Sequence, residues 1–189
     1  MKKFALLFVA MLISTTFFAQ EHLDFRGVPL DGHIDGFISK MEELGYTLEK
    51  KVDNAAIMSG KFTGKDVELY ILSSPKTKTV WKVAALFEKA TSWSSLKSSY
   101  LEYKELYTQK YGKPESSFEF FKDPYYEGDG YELQALRNEK CHYFTMYELE
   151  GGVVAVQLMS SGCLQLGYED NINGVLRNAE KTSSALDEI

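Results

Sequence analysis

Residues 62–74 read FTGKDVELYILSS and residues 149–161 read LEGGVVAVQLMSS. Aligned without a gap, Gly64 falls on Gly151, and Ser73 and Ser74 fall on Ser160 and Ser161. Val67, Leu69 and Ile71 fall on Val154, Val156 and Leu158. Apolar residues at every second position mark a strand with one buried face, and the glycine ahead of them marks a tight turn. The surroundings of the two segments repeat as well. Ala55 to Phe62 and Trp81 to Phe87 read as strands around the first, with Trp81, Val83, Ala85 and Phe87 alternating. Cys141 to Glu148 and Cys163 to Tyr168 read as strands around the second, with Leu164, Leu166 and Tyr168 on one face.

A long helix is expected after each set of strands. Ser92 to Tyr111 carries Trp93, Leu96, Tyr100, Tyr103, Tyr107 and Tyr111 as a stripe and ends at Gly112 and Pro114. This tyrosine ladder suits packing on the sheet with hydroxyls at the rim better than it suits a docking surface. Asn171 to the C-terminus is capped by Asp170 or Asn171, with Ile172, Val175, Leu176, Ala179 and Leu186 as its inner face. A shorter helix, Asp31 to Leu44, buries Ile34, Phe37, Ile38, Met41 and Leu44 and ends at Gly45. Ser116 to Phe121 is a strand candidate, and residues 132–138 fit a short helix or an edge strand. The fold class is therefore α+β: two related halves, about 25–114 and 115–189, each an antiparallel meander followed by a long helix. Joined in one sheet with helices on one side, they form a single domain over 20–189 with the other sheet face partly open.

The chain starts with Met1-Lys2-Lys3, an apolar run from Phe4 to Ile13, and a more polar stretch ending at Ala19. That three-part layout predicts a signal peptide over 1–19, and hence an exported protein, periplasmic or secreted. The apolar run is too short for a membrane anchor, and no integral membrane segment is expected after cleavage. The mature chain then holds 19 basic against 27 acidic residues, a net charge of −8. A surface of that sign repels phosphate backbones and argues against nucleic-acid binding. Hydrophobic residues at 44% and charged residues at 25% fit a folded globular domain.

Export makes a disulfide between Cys141 and Cys163 the expected state, provided strand register sets Met159 opposite Cys141. The histidines His22, His33 and His142 are far apart and lack metal-ligand spacing, so neither metal nor cofactor is expected. The acidic aromatic loop 123–132 fails the calcium-loop pattern, with Tyr125 at its third position and Gln134 at its twelfth. No nucleophile motif is present.

Phe25-Arg26-Gly27-Val28-Pro29-Leu30-Asp31-Gly32, Lys110-Tyr111-Gly112-Lys113-Pro114 and Gly167-Tyr168-Glu169-Asp170-Asn171-Ile172-Asn173 resemble small exported proteins of Gram-negative bacteria with no assigned function. The layout is also similar to the tandem-repeat fold of the beta-lactamase-inhibitor protein, a likeness that implies a concave sheet able to hold a protein. The expected function is a non-catalytic binding module for an envelope or extracellular protein, with Tyr70, Trp81 and Tyr143 on the open face. The alternative is a small-ligand or envelope-glycan binder using Tyr125, Tyr126 and Tyr131, and a hydrolase ranks below both.

Overall fold

A computed structural model describes residues 21–188; the expected signal peptide, 1–19, lies outside the described residues. The chain is α+β. A two-stranded hairpin, β1 (Asp24–Phe25) and β2 (Val28–Pro29), leads to α1 (Ile34–Glu43). Then come β3 (Thr47–Val52), β4 (Ala55–Phe62), β5 (Lys65–Ser73) and β6 (Val80–Phe87), followed by α2 (Trp93–Tyr111). The remainder is β7 (Ser116–Phe121), α3 (Glu132–Arg137), β8 (Cys141–Leu149), β9 (Gly152–Leu158), β10 (Leu164–Asp170) and α4 (Asn171–Asp187). The eight strands β3 to β10 form one antiparallel sheet in the order β3-β4-β5-β6-β10-β9-β8-β7. Strands β6 and β10 meet at its centre, while β3 and β7 are its edges.

Alternation decides the core. Met58, Leu69, Ile71, Val83, Ala85, Leu166, Val156 and Val154 are buried in one cluster with Phe37, Ile38 and Met41 of α1 and with Leu96, Tyr100, Tyr103 and Tyr107 of α2. The tyrosine ladder thus packs on the sheet. Its hydroxyls find partners there: Tyr100 bonds Thr145 on β8, and Tyr107 bonds Tyr168 on β10. Helix α2 begins where Ser92 accepts from the Ser95 N–H at 3.2 Å. It ends at Gly112, whose φ of +84° stops the helix at no side-chain cost.

Three expectations need correction. Helix α1 begins at Ile34 rather than Asp31, because residues 32–34 are tied to the start of β6. The Val80 N–H donates to Gly32 O and the Ile34 N–H to Lys78 O, each at 2.9 Å. His33 is the cap, accepting from the Asp35 N–H.

Helix α4 does not bury its apolar stripe. Val175 is 69% and Leu186 62% exposed, whereas Asn173 and Glu180 are buried. The helix is held over the end of β6 by polar contacts. Asn173 donates to the carbonyls of Leu30 and Val80, and the Glu180 carboxylate accepts from the N–H groups of Lys76 and Thr77. Against the opposing effect of desolvation, a hydrogen bond from the Thr77 hydroxyl, joined by those backbone bonds, holds the Glu180 carboxyl below its ordinary range.

Cys141 and Cys163 are both buried and unbonded. Phe144 pairs with Gln157, which sets Met159 level with His142 and not with Cys141. Strand β9 also separates their strands by two spacings, about 10 Å, which is beyond the roughly 7 Å that a disulfide spans.

Candidate functional site

Antiparallel pairing continues through all eight strands, with register shifts at Leu48/Lys50 and at Leu72/Ser73, and side chains opposite the core fall into rows. One row runs Phe118, Phe144, Gln157, Gln165, Leu86, Glu68, Ser59, Thr47 from edge to edge. The next runs Ser116, Met146, Ala155, Gly167, Ala84, Tyr70, Ile57, Lys50. Most of these side chains are half-buried, unlike the core rows behind them.

The second row is smallest at its middle. Ala155, Gly167 and Ala84 floor a trough in the centre of the sheet, with Phe144 and Met146 on one side and Tyr70 and Leu86 on the other. A Cβ added at Gly167 would stand in ordinary van der Waals contact with the Gln165 amide, 3.7 Å away, so the position tolerates a small side chain without a clash. Towards β7 the same face carries aromatic rings. Phe118 and Phe144 stack with centroids 6.4 Å apart, and Phe120 and His142 lie 5.0 Å apart. Those four rings and Gln157 line a groove of about 500 Å³. Phe118 is 50% and Phe120 42% exposed, which is unusual for two phenylalanines two residues apart on one strand.

Charge is distributed unevenly over this face. In the β7–β9 part of the two rows there is no ionisable side chain. In the β3–β6 part, Glu68 accepts from the Tyr70 hydroxyl at 3.0 Å, and that bond, assisted by burial, raises the Tyr70 pKa. At the far end of the face Lys82 pairs with Glu169 at 3.1 Å. Polar groups near the trough are therefore few: two glutamine amides and the neutral Tyr70 hydroxyl.

The residues singled out from sequence fall in three places. Tyr70 stands on the open face. Trp81 is covered by α4, with the Arg177 guanidinium 4.1 Å from its ring centroid. The cause is a register shift: Leu72 pairs with Lys82 and Ser73 with Val80, leaving Trp81 without a cross-strand partner and both Val80 and Trp81 buried. Tyr143 is also under a helix, edge-on to Trp93 at 5.2 Å and to Tyr100 at 5.3 Å. Burial raises its pKa, and the nearby Glu127 adds to the shift.

The acidic loop closes on itself. Asp129 accepts from the Tyr126 and Tyr131 N–H groups, Glu127 pairs with Lys97, and Tyr125 accepts from Asn138. Tyr126 and Tyr131 are exposed but point from a loop whose Glu127 and Asp129 are already engaged. Residues 132–137 are helical, and Glu132 reaches back to the Gly128 N–H at 2.9 Å.

Cys141 sits near this loop on the covered face. Burial, with Glu127 and Glu132 nearby, pushes its thiol up to about 12, so it is protonated and unreactive at neutral pH. Among the described residues no group of three or more His, Cys, Asp or Glu side chains gathers as a metal site. No helix of the described residues is long and apolar enough to cross a membrane.

Sequence reasoning missed Phe118, Phe120, Phe144 and Gly167. Their signal was present in Ser116 to Phe121, where the phenylalanines at 118 and 120 share a face, but nothing local says which face a helix will cover. Set against known proteins, the chain matches no family model, no curated protein and no solved structure.

Proposed function

We propose that this chain is an exported, non-catalytic binding module whose open sheet face holds a protein of the envelope or the extracellular space. The observation that carries the reading is the exposed aromatic groove of Phe118, Phe120, His142 and Phe144, on the same face as the small residues Ala155, Gly167 and Ala84. A contiguous apolar surface of this kind on a soluble domain marks a place where another apolar surface docks. The directional groups beside it are few, which suits a shape-selecting interface and not a reacting centre. Export rests on the leader-like residues 1–19 and places the partner in the same compartment.

The reading includes an origin for the face. Two copies of a helix-plus-four-strand unit, α1 with β3–β6 and α2 with β7–β10, meet at β6 and β10. Support comes from the aligned segments 62–74 and 149–161, which carry the third strand of each set of four. On this reading the helices of the units share one side, and the sheet keeps the other for a partner, as the likeness to the beta-lactamase-inhibitor protein implies.

The test is site-specific photocrosslinking of the mature chain in envelope extract of the producing cell, with the reactive group at Phe144 or Phe120. One protein is expected to be captured from both positions and lost when Gly167→Leu fills the trough. Equal capture from a control position on β3, such as Lys51, would overturn the reading.

A further inference from the structure

The β7 edge carries a signal in its backbone, separate from the side chains of the open face. Lys122 N–H donates to Lys140 O at 2.7 Å, which fixes the phase of the β7–β8 ladder. Even-numbered residues of β7 turn their backbone groups toward β8, so Ser117, Glu119 and Phe121 turn N–H and C=O outward, away from the sheet. Residues 117–120 are exposed, so those groups have no covering segment. Within Ser116 to Phe121 the edge holds no proline and no lysine, and its one charge, Glu119, is paired with Lys104.

We propose that β7 pairs antiparallel with β7 of a second copy, about a twofold axis normal to the sheet that sets Phe118 opposite Phe118 of the partner subunit. Charge selects this register. Because both sheets must present the same face, the residue numbers of opposed partners sum to an even value. Centring on Glu119 opposes two glutamates, and centring on Ser117 opposes Glu119 to Glu115, so like charges disfavour both. Centring on Phe120 engages only the last half of the strand.

Centring on Phe118 engages residues 116–120 of each copy. It sets Ser117 against Glu119 as the hydrogen-bonded pair, using the groups that point outward, and Ser116 against Phe120. Glu119 keeps its own Lys104. Leu101, 41% exposed, lies on the α2 stripe between Lys97 and Lys104, whose partners Glu127 and Glu119 place that stripe beside the edge. The dimer would join two open faces into one longer face with the phenylalanines at its centre.

This inference does not rest on the face-docking reading, and the variants separate the two. Sedimentation equilibrium of the mature chain up to ~1 mM is expected to show a concentration-dependent doubling of mass. Phe118→Lys, which opposes two lysines, and Ser117→Pro, which removes an outward N–H without touching the β8 ladder, should each return the monomer mass. Gly167→Leu should leave the doubling intact.

Register is tested by oxidative crosslinking. Phe118→Cys opposes itself in a non-hydrogen-bonded pair, about 4.5 Å between Cα atoms, and is expected to form an intermolecular disulfide at least ~10-fold faster than Phe120→Cys. A monomer mass at every concentration, or equal crosslinking at the two positions, would overturn the proposal.

Discussion

The two edges of the sheet differ in every respect that governs association. Strand β3, TLEKKV, is exposed at all six positions and carries Glu49, Lys50 and Lys51. Lysines on an edge make pairing with another chain costly, since their charges would have to be desolvated or opposed. Strand β7, SSFEFF, has two phenylalanines on the open face and one glutamate, which Lys104 neutralises. The difference extends inward from each edge. Behind β3 the open face alternates Glu68, Tyr70 and Lys82 with apolar residues, whereas behind β7 it is aromatic and small. One half of the sheet is finished as a solvated surface. The other leaves phenylalanine rings exposed.

The largest expected effect tests how rigidly each half is built. A Cβ on Gly152 would lie 2.1 Å from the Glu169 carbonyl oxygen, and backbone in the neighbouring strand cannot yield. Gly152→Ala is expected to cost about 3 kcal/mol. At Gly60 the clash is with the Tyr46 ring, 2.3 Å away, and a side chain can shift. Gly60→Ala should cost about 1–2 kcal/mol. Urea denaturation of both variants checks the order; a larger loss at Gly60 would mean that the β3 half is the stiffer one.

Alkaline pH gives the next effect, and it falls on the β7 half. Burial pushes Tyr100 up to about 12, and burial raises Tyr107 and Tyr168 as well. These hydroxyls titrate near 10 in the unfolded chain, so above that pH the unfolded state binds fewer protons than the folded one. Stability is therefore complete below pH ~10 and is lost as the pH rises toward ~12. The urea midpoint should be flat from pH 7 to 9 and then fall. Over the same range Cys141 should resist alkylation, its thiol being raised to about 12 by burial and neighbouring acids. Rapid labelling of Cys141 at pH 8 would show that the α3 corner opens on its own.

The smallest effect on stability is expected at the edges, where the effect on association is greatest. Phe120→Thr on β7 and Lys51→Thr on β3 should each shift stability by no more than about 0.5 kcal/mol. Rewriting the edge of β3 by Lys50→Phe with Lys51→Ser should leave the fold intact while creating a second self-associating edge, read as larger species by light scattering. If that variant stays the same size as the parent, edge chemistry is not what distinguishes the halves.

Much of this architecture was legible in the chain. The stripe of α2 with Ser92 and Gly112 at its ends, the alternation of β5, β6, β9 and β10, and Asp170 as a cap all follow from local spacing. Asp170 accepts from the Asn173 N–H at 2.8 Å, as its position predicts. Strand β3 escaped detection because an edge strand exposed at every position need not alternate. The stripe of α4 misled for the opposite reason. Its spacing is amphipathic, yet Asn173, Arg177 and Glu180 find carbonyls, N–H groups and an indole ring that only the folded loops supply, and they outcompete Val175 and Leu186 for the inner side.

The candidate site divides in the same way. The sequence by itself determined that Phe118, Phe120 and Phe144 belong to strands and that the first two share a face, because side-chain direction in a strand depends only on parity. Only the tertiary structure decided that Phe118 and Phe120 stay exposed, that Trp81 and Tyr143 lie beneath helices, and that the two cysteines are two strands apart. Those outcomes depend on strand order and on a one-residue register, which contacts between distant segments set.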